Sequence, residues 1–261
     1  MGRWSELCAG LICAALFLLW RFGYPHTSAA ALVPVIALLL VGAGIYLRRV
    51  RLTLAMREGI FLPGSRYKRW FSGRMSGLIL AVVEGTAIVL GMCHFALHAR
   101  LPEVLLAAAI GICTLAVIAW LRRVMARELR PEFAVAASAW VAAAVALPFC
   151  LLHFWMQQQP HILPPPDWLK AGSFIEVMNA SLAELPSRRG GIIEALSAMQ
   201  LLEAAIHWKL RAMSDVWGVS ALLFIYNSAI CLAVGRFFAD SAATFNLVGL
   251  THEHPFGTRS Q

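Results

Sequence analysis

Apolar residues in this chain run in long blocks separated by short polar stretches. They neither alternate at a period of two nor keep to one helix face. The blocks are Trp4 to Phe22, Ser28 to Leu47, Met75 to His98, Pro102 to Leu121, Phe133 to Trp155 and Val216 to Phe237. About 20 consecutive apolar residues suffice for a helix to cross the hydrocarbon core of a bilayer, and a helix satisfies its own backbone there. The pattern predicts an all-α polytopic integral membrane protein with six transmembrane helices. Residues 1–155 would form a five-span membrane region, 156–215 an extracytoplasmic helical segment, 216–237 the sixth span and 238–261 a cytoplasmic tail. The first block follows Arg3 and resembles a signal-peptide core, but no small-x-small cleavage pattern precedes Gly23-Tyr24-Pro25. An uncleaved signal anchor is the expectation.

The polar stretches between blocks orient the chain. Residues 48–74 hold eight of the 22 basic residues and a single acid, Glu58, and residues 122–132 hold four more. Loops rich in Lys and Arg stay in the cytoplasm, so both are placed there, with both termini on the same side. The expected location is a bacterial cytoplasmic (inner) membrane. Within the first loop, Val50 to Phe61 could form a short helix along the membrane surface, ended by Pro63-Gly64. Beyond it Tyr67, Trp70 and Phe71 are interleaved with Arg66, Lys68, Arg69 and Arg74. This mixture suits the headgroup layer or the docking of an acidic partner; a plain solvated loop is the simpler alternative.

The outer segment differs. Met156 to Asp215 carries five basic and six acidic residues, the balance of a translocated loop. Gln157-Gln-Gln-Pro160 and Pro164-Pro-Pro166 lead out as a stiff strap. Two helical patterns follow, broken at Ser187-Arg-Arg-Gly-Gly191: Phe174, Met178, Leu182 and Leu185, then Ile192, Leu196, Met199, Leu202, Ile206, Leu210 and Met213. An apolar stripe on each could close a hairpin, lie on the membrane or cover a partner; Leu196, Met199, Leu202 and Ile206 are the candidate partner contacts. Asn179-Ala-Ser181 matches a glycosylation acceptor, a pattern common by chance.

Composition agrees with the pattern. The chain of 261 residues is 60% apolar and 14% charged, against about 25% charged in soluble domains. Its formal net charge of +8 is concentrated in the two loops, which argues for topology and anionic headgroups rather than nucleic acid. The six cysteines, Cys8, Cys13, Cys93, Cys113, Cys150 and Cys231, lack C-x-x-C spacing and mostly sit in apolar blocks, as packing residues do.

Few residues carry candidate chemistry. Glu84 lies mid-way along the third block as its one formal charge. A carboxylate at that depth costs about 2.5–3.5 kcal/mol even on the permissive insertion scale, so it must be neutral, paired or facing a polar cavity. Asn227, between Tyr226 and Ser228 in the sixth block, is its expected polar partner, or simply bonds across helices. His94 and His98, one turn apart, and His153 reach the same outer boundary. Three imidazoles at one depth could bind a metal or haem, although no zincin pattern accompanies them and interfacial histidines often just meet water. His252 and His254 in the tail are weaker candidates. No hydrolase elbow, P-loop or dinucleotide fingerprint stands in a credible context.

The leading expectation is a non-enzymatic membrane subunit of a larger assembly, of the secretion, transfer or envelope class, with the bilayer and other membrane proteins or further copies of itself as partners. One alternative is a small-solute or ion transporter or channel using Glu84 and Asn227. Another is a haem or metal protein built on His94, His98 and His153; no cofactor follows from the residues alone.

Overall fold

The computed structural model describes residues 2–60, 73–129, 131–186, 191–212 and 217–253. Among these are nine α-helices and no strand: α1 (Gly2–Gly23), α2 (Leu32–Ile60), α3 (Arg74–His98), α4 (Leu101–Met125), α5 (Pro131–Ala143), α6 (Ala146–Gln157), α7 (Phe174–Ala183), α8 (Gly191–Ala212) and α9 (Trp217–Glu253). Six stretches are long and apolar enough to cross a membrane: α1 to α4, α5 with α6, and α9. The protein is an all-α, multi-pass membrane protein.

The bundle is built around α9, which packs on each of α1 to α6 and on α8. Small residues permit this. Ala239, Ala242 and Ala243 are fully buried, and small side chains let membrane helices approach to backbone distance. The facing helices answer in kind. A Cβ at Gly44 of α2 would stand 2.0 Å from the Asp240 carbonyl oxygen, and one at Gly111 of α4 would stand 2.7 Å from the Phe238 ring. A larger residue at either site forces the helices apart.

Three boundaries depart from the sequence pattern. The pattern ends the sixth span at Phe237 and begins a tail at 238; α9 instead continues to Glu253, with an apolar stretch over Ser220–Val248. Arg236 marks no boundary because it is neutralised inside the bundle. Similarly, α2 does not stop at Leu47 with a separate surface helix beyond it, but runs on to Ile60 carrying Arg48, Arg49 and Arg51. The fifth span is interrupted at Ala144–Val145. There the N–H groups of Ala144, Val145 and Leu147 bond to carbonyls only three residues back, those of Val141, Ala142 and Ala144. Pro148 offers no N–H to the Ala144 carbonyl and its ring crowds that oxygen, so Leu147 takes the bond and the helix breaks.

Polar contacts pin the two ends. At one, Arg122 late in α4 meets Glu6 of α1 at 2.9 Å, and Asn246 of α9 accepts from Ser5 at 2.7 Å. At the other, the Trp20 indole donates to the Cys93 carbonyl at 2.9 Å and Arg21 to the carbonyls of Ala96 and Ala99 at 2.8 and 2.7 Å. The strap, α7 and α8 cover this second end. Ser173 and Glu176 form a capping box at the start of α7, satisfying orphan donors reciprocally. Beneath α7 and α8, Trp168, Val177 and Ala204 make a small core of their own.

The apolar stripe of α8 is therefore mostly occupied by the chain itself. Leu196 and Ile206 are buried, Met199 is half-buried, and Leu202 alone of the four candidate contacts stays exposed. Of the three alternatives for the stripe, packing of α8 against the chain's own elements is the one the structure shows for Leu196 and Ile206. Of the candidate loop contacts, Arg66, Lys68, Arg69 and Trp70 lie outside the described residues, and Arg74 opens α3 with its side chain exposed.

Candidate functional site

Two polar layers cross the bundle. The deeper one lies on α2, α3 and α9. Glu84 does not meet Asn227; its Oε1 is 2.5 Å from Arg236 Nη2. Arg236 also donates from Nε to Asp240 Oδ2 at 3.0 Å, one turn along α9. Arg48 Nη1 is 2.7 Å from the other oxygen, Asp240 Oδ1, as a charge contact without hydrogen-bond alignment. Both guanidinium carbons sit over the Trp140 ring of α5, Arg48 at 5.6 Å and Arg236 at 5.4 Å from its centroid. Two cations and two anions thus neutralise one another at a depth where an isolated charge is expensive. Of the alternatives for Glu84, the structure shows the paired one.

The second layer is a cavity of about 580 Å³ at the end covered by the strap and α8. His94 and His98 enter it from the last turn of α3. Their rings are 4.8 Å apart, and the His94 carbonyl is 3.0 Å from His98 Nδ1. His94 Nε2 is 2.7 Å from Glu203 Oε2 of α8. A carboxylate only accepts, so this nitrogen carries the proton. The Tyr226 hydroxyl of α9 donates to the same Glu203 oxygen at 3.2 Å. On the opposite wall, His153 Nε2 is 3.0 Å from Glu103 Oε1. The other Glu103 oxygen accepts the backbone N–H of Arg100, the N-cap of α4, at 2.8 Å. Asn227 donates from Nδ2 to Gln157 Oε1 at 2.6 Å and accepts at Oδ1 from Gln157 Nε2 at 3.2 Å. The Arg100 guanidinium donates to the Pro164 carbonyl and so ties the strap across the cavity.

The sequence reading placed His94, His98 and His153 at one depth, and the cavity holds all three. It missed their partners. Glu103 passed as an acid at the start of the fourth apolar block and Glu203 as an ordinary acid of a translocated stretch, and nothing in their spacing points at a histidine about 50 or 110 positions away. Arg236 and Asp240 did carry a signal, a cation and an acid at i and i+4 in an apolar helix.

Electrostatics outside the spans fix two protonation states. Burial pushes the Glu203 carboxyl up, but the His94 hydrogen bond and the charges of His94, His207 and His98 outweigh it, and it is lowered to about 2. Burial lowers His207 below its ordinary value against the opposing pull of Glu203 and Glu103. At neutral pH the first is ionised and the second neutral. Among the described residues no group of three or more His, Cys, Asp or Glu is placed to hold a metal ion, and His94 Nε2 is already engaged by Glu203.

Comparison with protein-family models, curated proteins and solved structures finds no match to this chain.

Proposed function

We propose that the protein is a multi-pass subunit of a multiprotein membrane assembly, of the secretion, transfer or envelope class, in a bacterial inner membrane. Both basic loops and both termini face the cytoplasm, and the strap, α7 and α8 lie outside. The observation that carries the proposal is the edge of the charge layer. Glu84 keeps 37% of its side chain exposed, and its neighbours one turn away, Leu80 and Ala87, are exposed as well. An ion pair open to lipid at mid-depth is costly, and a neighbouring transmembrane helix would cover it.

A photo-crosslinking residue at Ala87, introduced in the native membrane, tests this. Stoichiometric adducts to a partner chain or a second copy are expected there, and only lipid adducts at Leu11 of α1, a residue 71% exposed and away from the charges. Lipid adducts alone at Ala87 overturn the proposal. The topology is checked by alkaline phosphatase fusions, active after Gln159 and inactive after Leu129.

The cavity supports a second reading, uptake of a small solute at the outer end beside the broken fifth span. Discontinuous spans accompany such sites in transporters. In that case Asn227 would touch the solute and Glu84 would not.

A further inference from the structure

We propose that the outer cavity is a binding site for a small organic cation, one carrying an ammonium or guanidinium group. The site stands whether or not the protein joins an assembly or moves its ligand across the membrane.

Charge is the first argument. Glu103, Glu184, Glu203 and Asp167 line the cavity, against one guanidinium, that of Arg100. Arg100 donates to the neutral Pro164 carbonyl and keeps its charge, which acts on Asp167 and Glu184. Asp167 is also shared with Lys170 at 2.6 Å, so the acids still outnumber the cations. Of the remaining three carboxylates, Glu203 and Glu103 meet the imidazoles of His94 and His153, and Glu184 bonds to the Trp168 side chain. Four carboxylates against the guanidinium of Arg100 and the ammonium of Lys170 leave an excess of fixed negative charge around the cavity. An anion would meet one guanidinium against four carboxylates among the lining residues described.

Unmet hydrogen bonding is the second argument. Gln200 of α8 lines the cavity and is 1% exposed, yet its Oε1 has no partner. A buried acceptor without a donor costs about 1–3 kcal/mol. An ammonium or guanidinium supplies several donors and no acceptor, the complement this wall lacks. Trp168 and Tyr226 add aromatic surface to the lining, over which a cation is attracted by the ring quadrupole. The volume of about 580 Å³ falls within the range of small-molecule pockets, about 300–1,000 Å³. A bare divalent ion needs three or more converging ligands, which the described residues do not offer.

The histidines make the affinity depend on pH. His94 and His98 face the cavity from α3, His153 from α6 and His207 from α8. Arg100 and Glu103 belong to the start of α4, Asp167 and Glu184 to the segments flanking α7, and Tyr226 to α9. Protonation of His207, whose folded value burial holds below its ordinary one, adds positive charge beside the carboxylates as pH falls and repels a cation.

The test uses the full chain in lipid nanodiscs, with calorimetric titration of putrescine, agmatine and choline, and of succinate, Zn²⁺ and Mn²⁺ as contrasts. At least one of the three organic cations is expected to bind, about tenfold more weakly at about pH 5.5 than at about pH 7.5. Glu203→Gln should weaken binding about tenfold or more. Because that variant also loses the His94 contact and could fold poorly, Gln200→Glu is the decisive companion. It adds a carboxylate at the unmet acceptor and should tighten binding about threefold or more, a gain that misfolding cannot imitate. Binding of none of the cations to folded protein, binding of only the metals or succinate, or an unchanged affinity in Gln200→Glu would each overturn the proposal.

Discussion

Arg48 Nη1 stands 2.7 Å from Asp240 Oδ1 across the contact of α2 with α9. Neither residue is open to its surroundings: Arg48 is 4% and Asp240 0% exposed. Asp240 is also the acid that Arg236 reaches from its own helix. The layer is balanced only while its cations and anions are equal in number.

Removing one member therefore costs more than the pair is worth. Asp240→Asn leaves two guanidiniums sharing Glu84, and breaking a buried pair in this way costs about 3–5 kcal/mol. Arg48→Met with Asp240→Asn removes one charge of each sign and leaves Glu84 with Arg236, so the double variant should recover at least half of the loss. Unfolding of the purified protein in mixed micelles measures both. Equal destabilisation of single and double variants would show that packing, not charge balance, sets the stability here.

The number and order of the spans were legible in the sequence, because a block of twenty apolar residues admits few alternatives. What was not legible is how the charges inside those spans are neutralised. Arg48 and Arg236 looked like membrane boundaries because a cation beside an apolar block usually is one. Only the approach of α2 to α9 at Gly44 brings Arg48 to Asp240, and neither local pattern contains that approach. The outer histidines were legible as a group for the opposite reason. His94 and His98 lie one turn apart on one helix, a relation that spacing alone determines, whereas Glu203 reaches His94 only after α8 has folded back over the bundle.

Acid should loosen α8 in a defined window. Burial raises the Glu203 pKa, yet the His94 hydrogen bond and the neighbouring histidine charges bring it to about 2, below its ordinary 4.5. A depressed folded value means the unfolded segment takes up the proton first. The stabilisation is complete above 4.5 and is lost as pH falls from there toward 2. Hydrogen exchange over 191–212 should rise across that window, and Glu203→Gln should remove the step while raising exchange at neutral pH. A flat profile in the native protein would refute the assignment.

His207 should act in a higher window with the same sign. Burial lowers its folded pKa below the ordinary 6.5, with Glu203 and Glu103 opposing. Below 6.5 the unfolded state binds a proton that the folded state refuses, so stability falls on acidification. The ring is also packed edge-on against Trp168 at 6.0 Å, and His207→Phe keeps an aromatic surface there. The variant should lose the decline that begins below 6.5 and keep the one that begins below 4.5. Loss of both, or of neither, would contradict the separation of the two groups.

Gly44 tests whether the charge layer depends on the helix approach beneath it. The Cβ of Gly44→Ala would lie 2.0 Å from the Asp240 carbonyl oxygen and 2.8 Å from Thr244 Oγ1. Backbone cannot yield as a flexible side chain does, so α2 must move off α9. Thr244 Oγ1 would lose its 2.7 Å bond to the Leu40 carbonyl, and Arg48 would be drawn away from Asp240. Together the strain and the weakened ion pair should cost about 3 kcal/mol or more. At Gly218, in the first turn of α9, nothing stands within 4 Å of an added Cβ. Gly218→Ala should therefore be neutral or stabilising by up to about 1 kcal/mol, the helix-propensity gain. Mixed-micelle unfolding of both variants checks the contrast. If Gly44→Ala proved as harmless as Gly218→Ala, the close contact of α2 with α9 would be refuted, and with it the geometry that brings Arg48 to Asp240.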